Sequence, residues 1–178
     1  MASETFTFEL YPLSNYTITE KDPNKFLDMT LLGEISYCKQ KYQTEGGMRH
    51  RVEAVLLVNY RKHPHVLLFQ TCANTQYKLP GGFLEGAEDK YDGLKRILDE
   101  QLSPIVTEQS KSENESVEPG SETKLTTRVV SQQWEIAELL TIWWRAEWDE
   151  IFFPYIPPHI TKPKERREMY LVPLPEKC

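Results

Sequence analysis

The chain has 178 residues, 39% of them hydrophobic and 27% charged, which suits one folded domain with a core of its own. A net charge of −6 argues against binding nucleic acid through a broad basic surface. No run of about 18 apolar residues occurs, which excludes a membrane-spanning helix.

The three cysteines (Cys38, Cys72, Cys178) are odd in number and widely spaced, which points to a reducing compartment and against a disulfide framework or a zinc site. Met1-Ala2-Ser3-Glu4 has neither the basic nor the apolar stretch of a secretory signal. The acidity is uneven: residues 103–127 hold five glutamates and two lysines, so three of the six net negative charges lie there. Local recognition of a few nucleotides by the rest of the chain stays open.

In chain order, Phe6 to Leu13 alternates apolar and polar residues and reads as an edge strand ended by Pro12. Asp22-Pro23 has the form of a helix start. Leu27, Leu31, Ile35, Cys38 and Tyr42 continue at helical spacing until Gly46-Gly47 ends the helix. Val52 to Tyr60 is an apolar strand carrying one charge, Glu53. Arg61 to Pro64 turns the chain, and His65 to Thr71 returns as a second strand. Gln76 to Leu79 is a further extended piece.

The stretch from Lys78 to Glu88 then reads as strand, glycine turn and loop, leading into an amphipathic helix that ends near Leu102. Tyr91, Leu94, Ile97, Leu98 and Leu102 make its buried face. Glu88 and Asp89 bring carboxylates to its first turn, where the dipole favours them. Thr107 to Thr127, rich in Ser, Glu and Thr, cannot bury enough surface to offset its ordering entropy and reads as a disordered insertion within 103–127. Val129 to Trp148 is strand-like and aromatic, Phe152 to Lys164 is a proline-stiffened loop, and Met169 to Leu174 is a short closing strand. Nothing helical follows Leu174, so the second layer of a sandwich must come from the amino-terminal helix or from elsewhere.

Gly82, Glu88, Arg96 and Glu100 fit the spacing Gly, five residues, Glu, seven residues, Arg-Glu-apolar-x-Glu-Glu, which resembles the Nudix box of pyrophosphohydrolases. In that family the helix gathers carboxylates to hold Mg²⁺ against a diphosphate, a hard cation that wants clustered oxygen ligands. Here Ile97 follows Arg96 and Gln101 follows Glu100, so of three carboxylates expected after the arginine only Glu100 remains. Neither substitute can act as a metal-bound acid. The metal site is read as absent and the remnant positions as helix surface.

The flanking segments Tyr11 to Thr17, Gly47-Met48-Arg49, Pro64 to Leu68, Lys78 to Gly82, Gly93 to Arg96, Trp143-Trp144-Arg145, and Pro154 to Pro157 followed by His159 to Glu165 resemble the family of small (25 kDa) subunits of cleavage factor Im. That factor acts in pre-mRNA 3′-end processing. The resemblance runs from about Phe8 to the end, broken by the insertion. It implies a single Nudix-like αβα sandwich (α/β, with a mixed sheet) over residues 1–178, with an amino-terminal extension 1–47. A chain stopping at Cys178 would lack the family's last strand and carboxy-terminal helix.

The resemblance also implies no hydrolase activity, no cofactor, a nuclear location and a homodimer. It further implies a larger partner subunit with an RNA-recognition domain, and binding of UGUA in single-stranded RNA. By position, the resemblance places Glu20, Lys25, Glu53, Thr75, Gln76, Tyr77 and Leu79 at the RNA site. Carboxylates there can accept only from base N–H groups, so they specify without attracting phosphate. Gln76 replaces an aromatic of the family, which removes a stacking platform of roughly 1–3 kcal/mol per base. Lys25 replaces an arginine and lacks its planar guanidinium.

On the residues alone, Glu53 is either a base reader or a solvent-facing strand residue. Trp134, Trp143 and Trp144 are a stacking platform or core. His63 and His65 are exposed turn residues without metal spacing to His50 or His159. Lys162 to Arg167 is either a phosphate-contacting or nuclear-import patch or a short basic cluster of the kind common on solvated surfaces. Two further functions stay open: a dinucleoside polyphosphate hydrolase with an irregular metal set, and a scaffold that binds protein but not RNA.

Overall fold

The spine of the fold is β1 (Arg49–Tyr60), whose even-numbered side chains Val52, Ala54, Leu56 and Val58 are all buried. The structure, a computed structural model, describes residues 7–18, 29–70, 76–103, 105–108, 126–129 and 133–176. β1 turns through Arg61 and Lys62, both at positive φ, into the exposed edge strand β2 (His63–Val66). It pairs in parallel with β10 (Glu165–Pro173), aligning Arg49 with Glu165 and Leu57 with Pro173.

β8 (Glu138–Arg145) lies antiparallel on the far side of β10, and β9 (Phe152–Phe153) caps one end of β8. β5 (Gly81–Phe83) adds to β1 beside β2, giving six strands in a mixed sheet. β3 (Phe69–Gln70) and β4 (Tyr77–Lys78) form a separate two-stranded piece.

One helix packs on each face. The amphipathic α2 (Lys90–Leu102), N-capped by Asp89, presses Leu94, Ile97 and Leu98 onto the even-numbered face of β1. Trp134, Tyr170, Val172 and Leu174 complete that core. Gly93 lets the loop before α2 fold back closely: a Cβ there would sit 2.3 Å from Leu84 Cδ2, and that side chain would have to move. The opposite face carries Arg51 and Glu53 and is covered by α1 (Leu31–Thr44), through Glu34, Ile35 and Cys38. The amino-terminal helix therefore supplies the second layer, as the αβα reading requires.

Several expectations change. The edge strand over Phe6 to Leu13 is absent from the described residues 7–13: they make only an isolated bridge, Pro12 to Asn59, followed by a 3-10 turn at Leu13–Asn15. Pro12 has no N–H to extend a ladder. α1 starts at Leu31, after Thr30 caps the Gly33 amide, and not at Asp22-Pro23, which lies outside the described residues. The return strand His65 to Thr71 is split, because after Val66 the chain leaves β1 and Phe69–Gln70 pairs with β4 instead.

The two ends of the proposed insertion, β6 (Ile105–Glu108) and β7 (Thr126–Val129), pair with each other, while residues 109–125 lie outside the described ones. β10 begins four residues before Met169, inside the supposed basic surface cluster, and is a central strand. On α2, Tyr91 is exposed and meets Tyr170 edge-on at 5.6 Å, so it rims the core without entering it. Asp89 caps that helix, whereas Glu88 is engaged by Arg96.

Candidate functional site

Glu53 is not solvent-facing. It is 3% exposed, beneath α1. Alternation along β1 puts Arg51 on the same face, its Nε 2.8 Å from Glu53 Oε1. Arg51 also reaches Glu34 on α1 (3.3 Å), and Glu34 in turn holds Lys78 of β4 (2.7 Å). Lys78 Nζ donates a further hydrogen bond to Met29 O, just ahead of α1. On the neighbouring strand Arg167 lies 3.6 Å from the same Oε1 of Glu53 and 3.2 Å from Glu165 Oε1. Glu165 Oε2 is held by Arg145 at 2.9 Å.

Arg145 and Arg167 each stack on Phe152 with their guanidinium carbons 4.2 Å from its ring centroid, and Arg51 lies 5.3 Å from that of Phe83. The result is a chain of buried ion pairs running from α1 across β1 and β10 to β8.

Burial alone would push Glu34 up, but Arg51 and then Lys78 outweigh it and its carboxyl titrates below the ordinary range. The same carboxylates hold Arg51 charged against the cost of its own burial. Cys38, beside Glu165, is pushed up to about 12 by burial and is a neutral thiol at pH 7.

Of the residues expected at the RNA site, Gln76 and Tyr77 lie on the surface beside this network, Tyr77 being 65% exposed, and Leu79 is half-buried. Lys78 between them points into the network, which fixes β4 against α1. Glu20, Lys25 and Thr75 lie outside the described residues. Sequence reasoning missed Arg51, Glu34 and Lys78, and it met Arg167 only as part of a basic cluster, without its partners Glu53 and Glu165. The i, i+2 pair Arg51 and Glu53 inside an apolar strand was the available signal, since two charges on one strand face need partners when buried.

The positions expected from the Nudix-box spacing have a different environment. Arg96 grips Glu88 bidentately (2.8 and 3.0 Å) and holds its carboxyl below the ordinary range. Glu100 is exposed. Ile97 packs on Gly82, where an added Cβ would lie 3.4 Å from its Cδ1. Gln101, 8% exposed, clamps Gly81: its Oε1 accepts from the Gly81 amide at 3.0 Å and its Nε2 donates to the Gly81 carbonyl at 2.9 Å. Gly81 itself, at φ +154°, leaves no room for a Cβ, which would meet Val52 O at 2.3 Å.

Ile97 and Gln101 thus fasten the helix to the turn. No group of three or more His, Cys, Asp or Glu side chains positioned for a metal occurs among the described residues. A separate cleft of about 700 Å³ opens at the start of β1, between Arg49, His50, Lys90, Arg166 and Glu168. Burial and then Arg166 push its His50 down.

Residues 6–178 match the NUDIX_2 family, described as nucleotide hydrolase. The chain is 39% identical over 167 residues to the pre-mRNA cleavage factor Im 25 kDa subunit 2 of Arabidopsis thaliana, covering 94% of this chain and 72% of that protein. It is 36% identical over 172 residues to the cleavage and polyadenylation specificity factor subunit 5 of Dictyostelium discoideum, covering 97% and 74%. Subunit 1 of the Arabidopsis factor is 36% identical over 94% of this chain and 65% of its own length. Mixed sheet, opposed helices and sequence agree: the chain belongs to the Nudix-fold family of cleavage factor Im 25 kDa subunits.

Proposed function

We propose that this chain is a non-catalytic, RNA-binding subunit of an mRNA 3′-end processing factor and recognises UGUA-type single-stranded RNA. Its relatives' names place them in cleavage and polyadenylation. The observation that carries the loss of catalysis is the Gln101 clamp: a side chain spent on both main-chain groups of Gly81 cannot hold a metal ion. Partners in this reading are a larger subunit bearing an RNA-recognition domain and a second copy of the chain, in the nucleus.

Tyr77 offers the exposed ring on which an unstacked base can lie, flanked by Gln76 and Leu79. The proposal also assigns Glu20, Lys25 and Thr75 to RNA contact. Among the described residues both ion pairs of Glu53 fall on Oε1, and in this reading Oε2 accepts from a base N–H. A UGUA-containing oligonucleotide should bind more tightly than one with its guanine replaced. Equal affinity for both removes base-specific reading.

A second reading, a scaffold that binds protein without RNA, is favoured by the near-complete burial of Glu53, and normal partner capture with undetectable RNA affinity would establish it. The hydrolase reading requires Mg²⁺-dependent release of nucleotide from a diadenosine polyphosphate.

A further inference from the structure

The buried network does not balance. Its cations are Arg51, Lys78, Arg145 and Arg167 and its carboxylates are Glu34, Glu53 and Glu165, four against three among the described residues. Arg51 takes Glu34 and Glu53 at 3.3 and 2.8 Å, Lys78 takes Glu34, and Arg145 takes Glu165. Arg167 is left to share two carboxylates that other cations already hold more closely, at 3.6 and 3.2 Å. Its Nε, like those of Arg49, Arg51 and Arg166, is buried without a hydrogen-bond partner among the described residues.

Unlike Arg145, which is sealed at 1% side-chain exposure, Arg167 is 18% exposed, so an outside group can reach it. A guanidinium that is largely desolvated, stacked on Phe152 and undersupplied with negative charge is a site for an anion. It lies against Glu53, on the face proposed to meet RNA.

We infer that Arg167 is a phosphate contact of the bound RNA strand, the fourth cation of the network being neutralised by a phosphodiester. This inference rests on the RNA-binding reading of the same face, and it divides the labour there. Glu53 and the β4 surface meet bases, while Arg167 meets the backbone, which carries no sequence information.

The test is the salt dependence of RNA affinity, measured with the UGUA oligonucleotide and its guanine-replaced counterpart. Removing one phosphate contact to a single strand lowers the slope of log affinity against log salt by about 0.7, so the loss of affinity between 50 and 200 mM salt shrinks roughly threefold. Arg167→Gln should show that change with the ratio between the two RNAs unaltered, and Arg167→Lys should keep the wild-type slope. An unchanged slope in Arg167→Gln overturns the inference. So does a collapsed ratio at constant slope, which would make Arg167 a base reader, and so does a slope lost in Arg167→Lys.

Should Arg167→Gln fail to fold, Arg167→Lys still decides. RNA should protect the introduced amine from acetylation, and an amine labelled equally with and without RNA overturns the inference. Wild-type binding without preference between the two RNAs defeats the UGUA reading alone. Absence of any RNA binding defeats both.

Discussion

Replacing Gln101 by glutamate restores the residue that the Nudix box calls for, and the structure says it should harm the protein. The amide both accepts from the Gly81 N–H (3.0 Å) and donates to the Gly81 carbonyl (2.9 Å). A carboxylate can do only the first, and it turns a second acceptor toward the carbonyl oxygen. The variant loses one buried hydrogen bond, leaves an acceptor unpaired and buries a charge, together about 2–4 kcal/mol at neutral pH. For a chain of this size that lowers Tm by about 4–15 °C.

The protonated acid, however, can donate as the amide does. The folded state therefore raises the new group's pKa, so the penalty is present at neutral pH and fades as pH falls through that raised value toward the ordinary carboxylate range. Urea titrations of Gln101→Glu and the wild type, run at neutral and at mildly acidic pH, measure this. Equal stability of the two proteins at neutral pH would refute the claim that the clamp secures the turn. So would a deficit that does not shrink on acidification.

Gly81→Ala should cost more than about 3 kcal/mol, since its Cβ would meet Val52 O at 2.3 Å and Glu53 Cα at 2.7 Å; soluble yield and circular dichroism report it. Glu34→Gln leaves Arg51 and Lys78 short of a counter-charge under α1, which should cost about 3–5 kcal/mol by urea unfolding at neutral pH. Because the folded state depresses the Glu34 pKa, its contribution is present above the ordinary value of 4.5 and is lost as pH falls below it, so variant and wild type should converge there. Trp134→Phe keeps most of the buried ring but loses the 2.8 Å bond from Nε1 to Asp99 Oδ1, and should cost about 1–2 kcal/mol in thermal unfolding.

Local patterns carried over well where burial followed a single period. β1 and α2 sit where their apolar spacing put them, and the Gly46-Gly47 stop ends α1 with both glycines at positive φ. Ile97 and Gln101 were legible as departures from the box, but not as fasteners, because their partners Gly82 and Gly81 lie across a turn. The charged network was hidden for a similar reason. Glu53 read as the one charge of an apolar strand, with Arg51 just outside it, and Glu165 with Arg167 read as part of a short basic cluster. Only the β1–β10 pairing, which sets Arg51 opposite Arg167, shows that they share one buried face. The pairing of β6 with β7 was likewise invisible, since two strands of four residues separated by a long polar stretch are too short to show a period.

The parallel β1–β10 pairing also has a kinetic consequence. Arg49 must wait for Glu165, 116 positions later, before the centre of the sheet can close. During synthesis the ribosome must deliver nearly the whole of this sequence while β1 holds an unsatisfied edge and α2 has only half a floor to rest on. Such distant strand matching is slow and leaves sticky intermediates exposed. This architecture therefore favours a nascent chain that is shielded until β10 emerges, and its yield should depend on chaperone supply more steeply than its final stability would suggest.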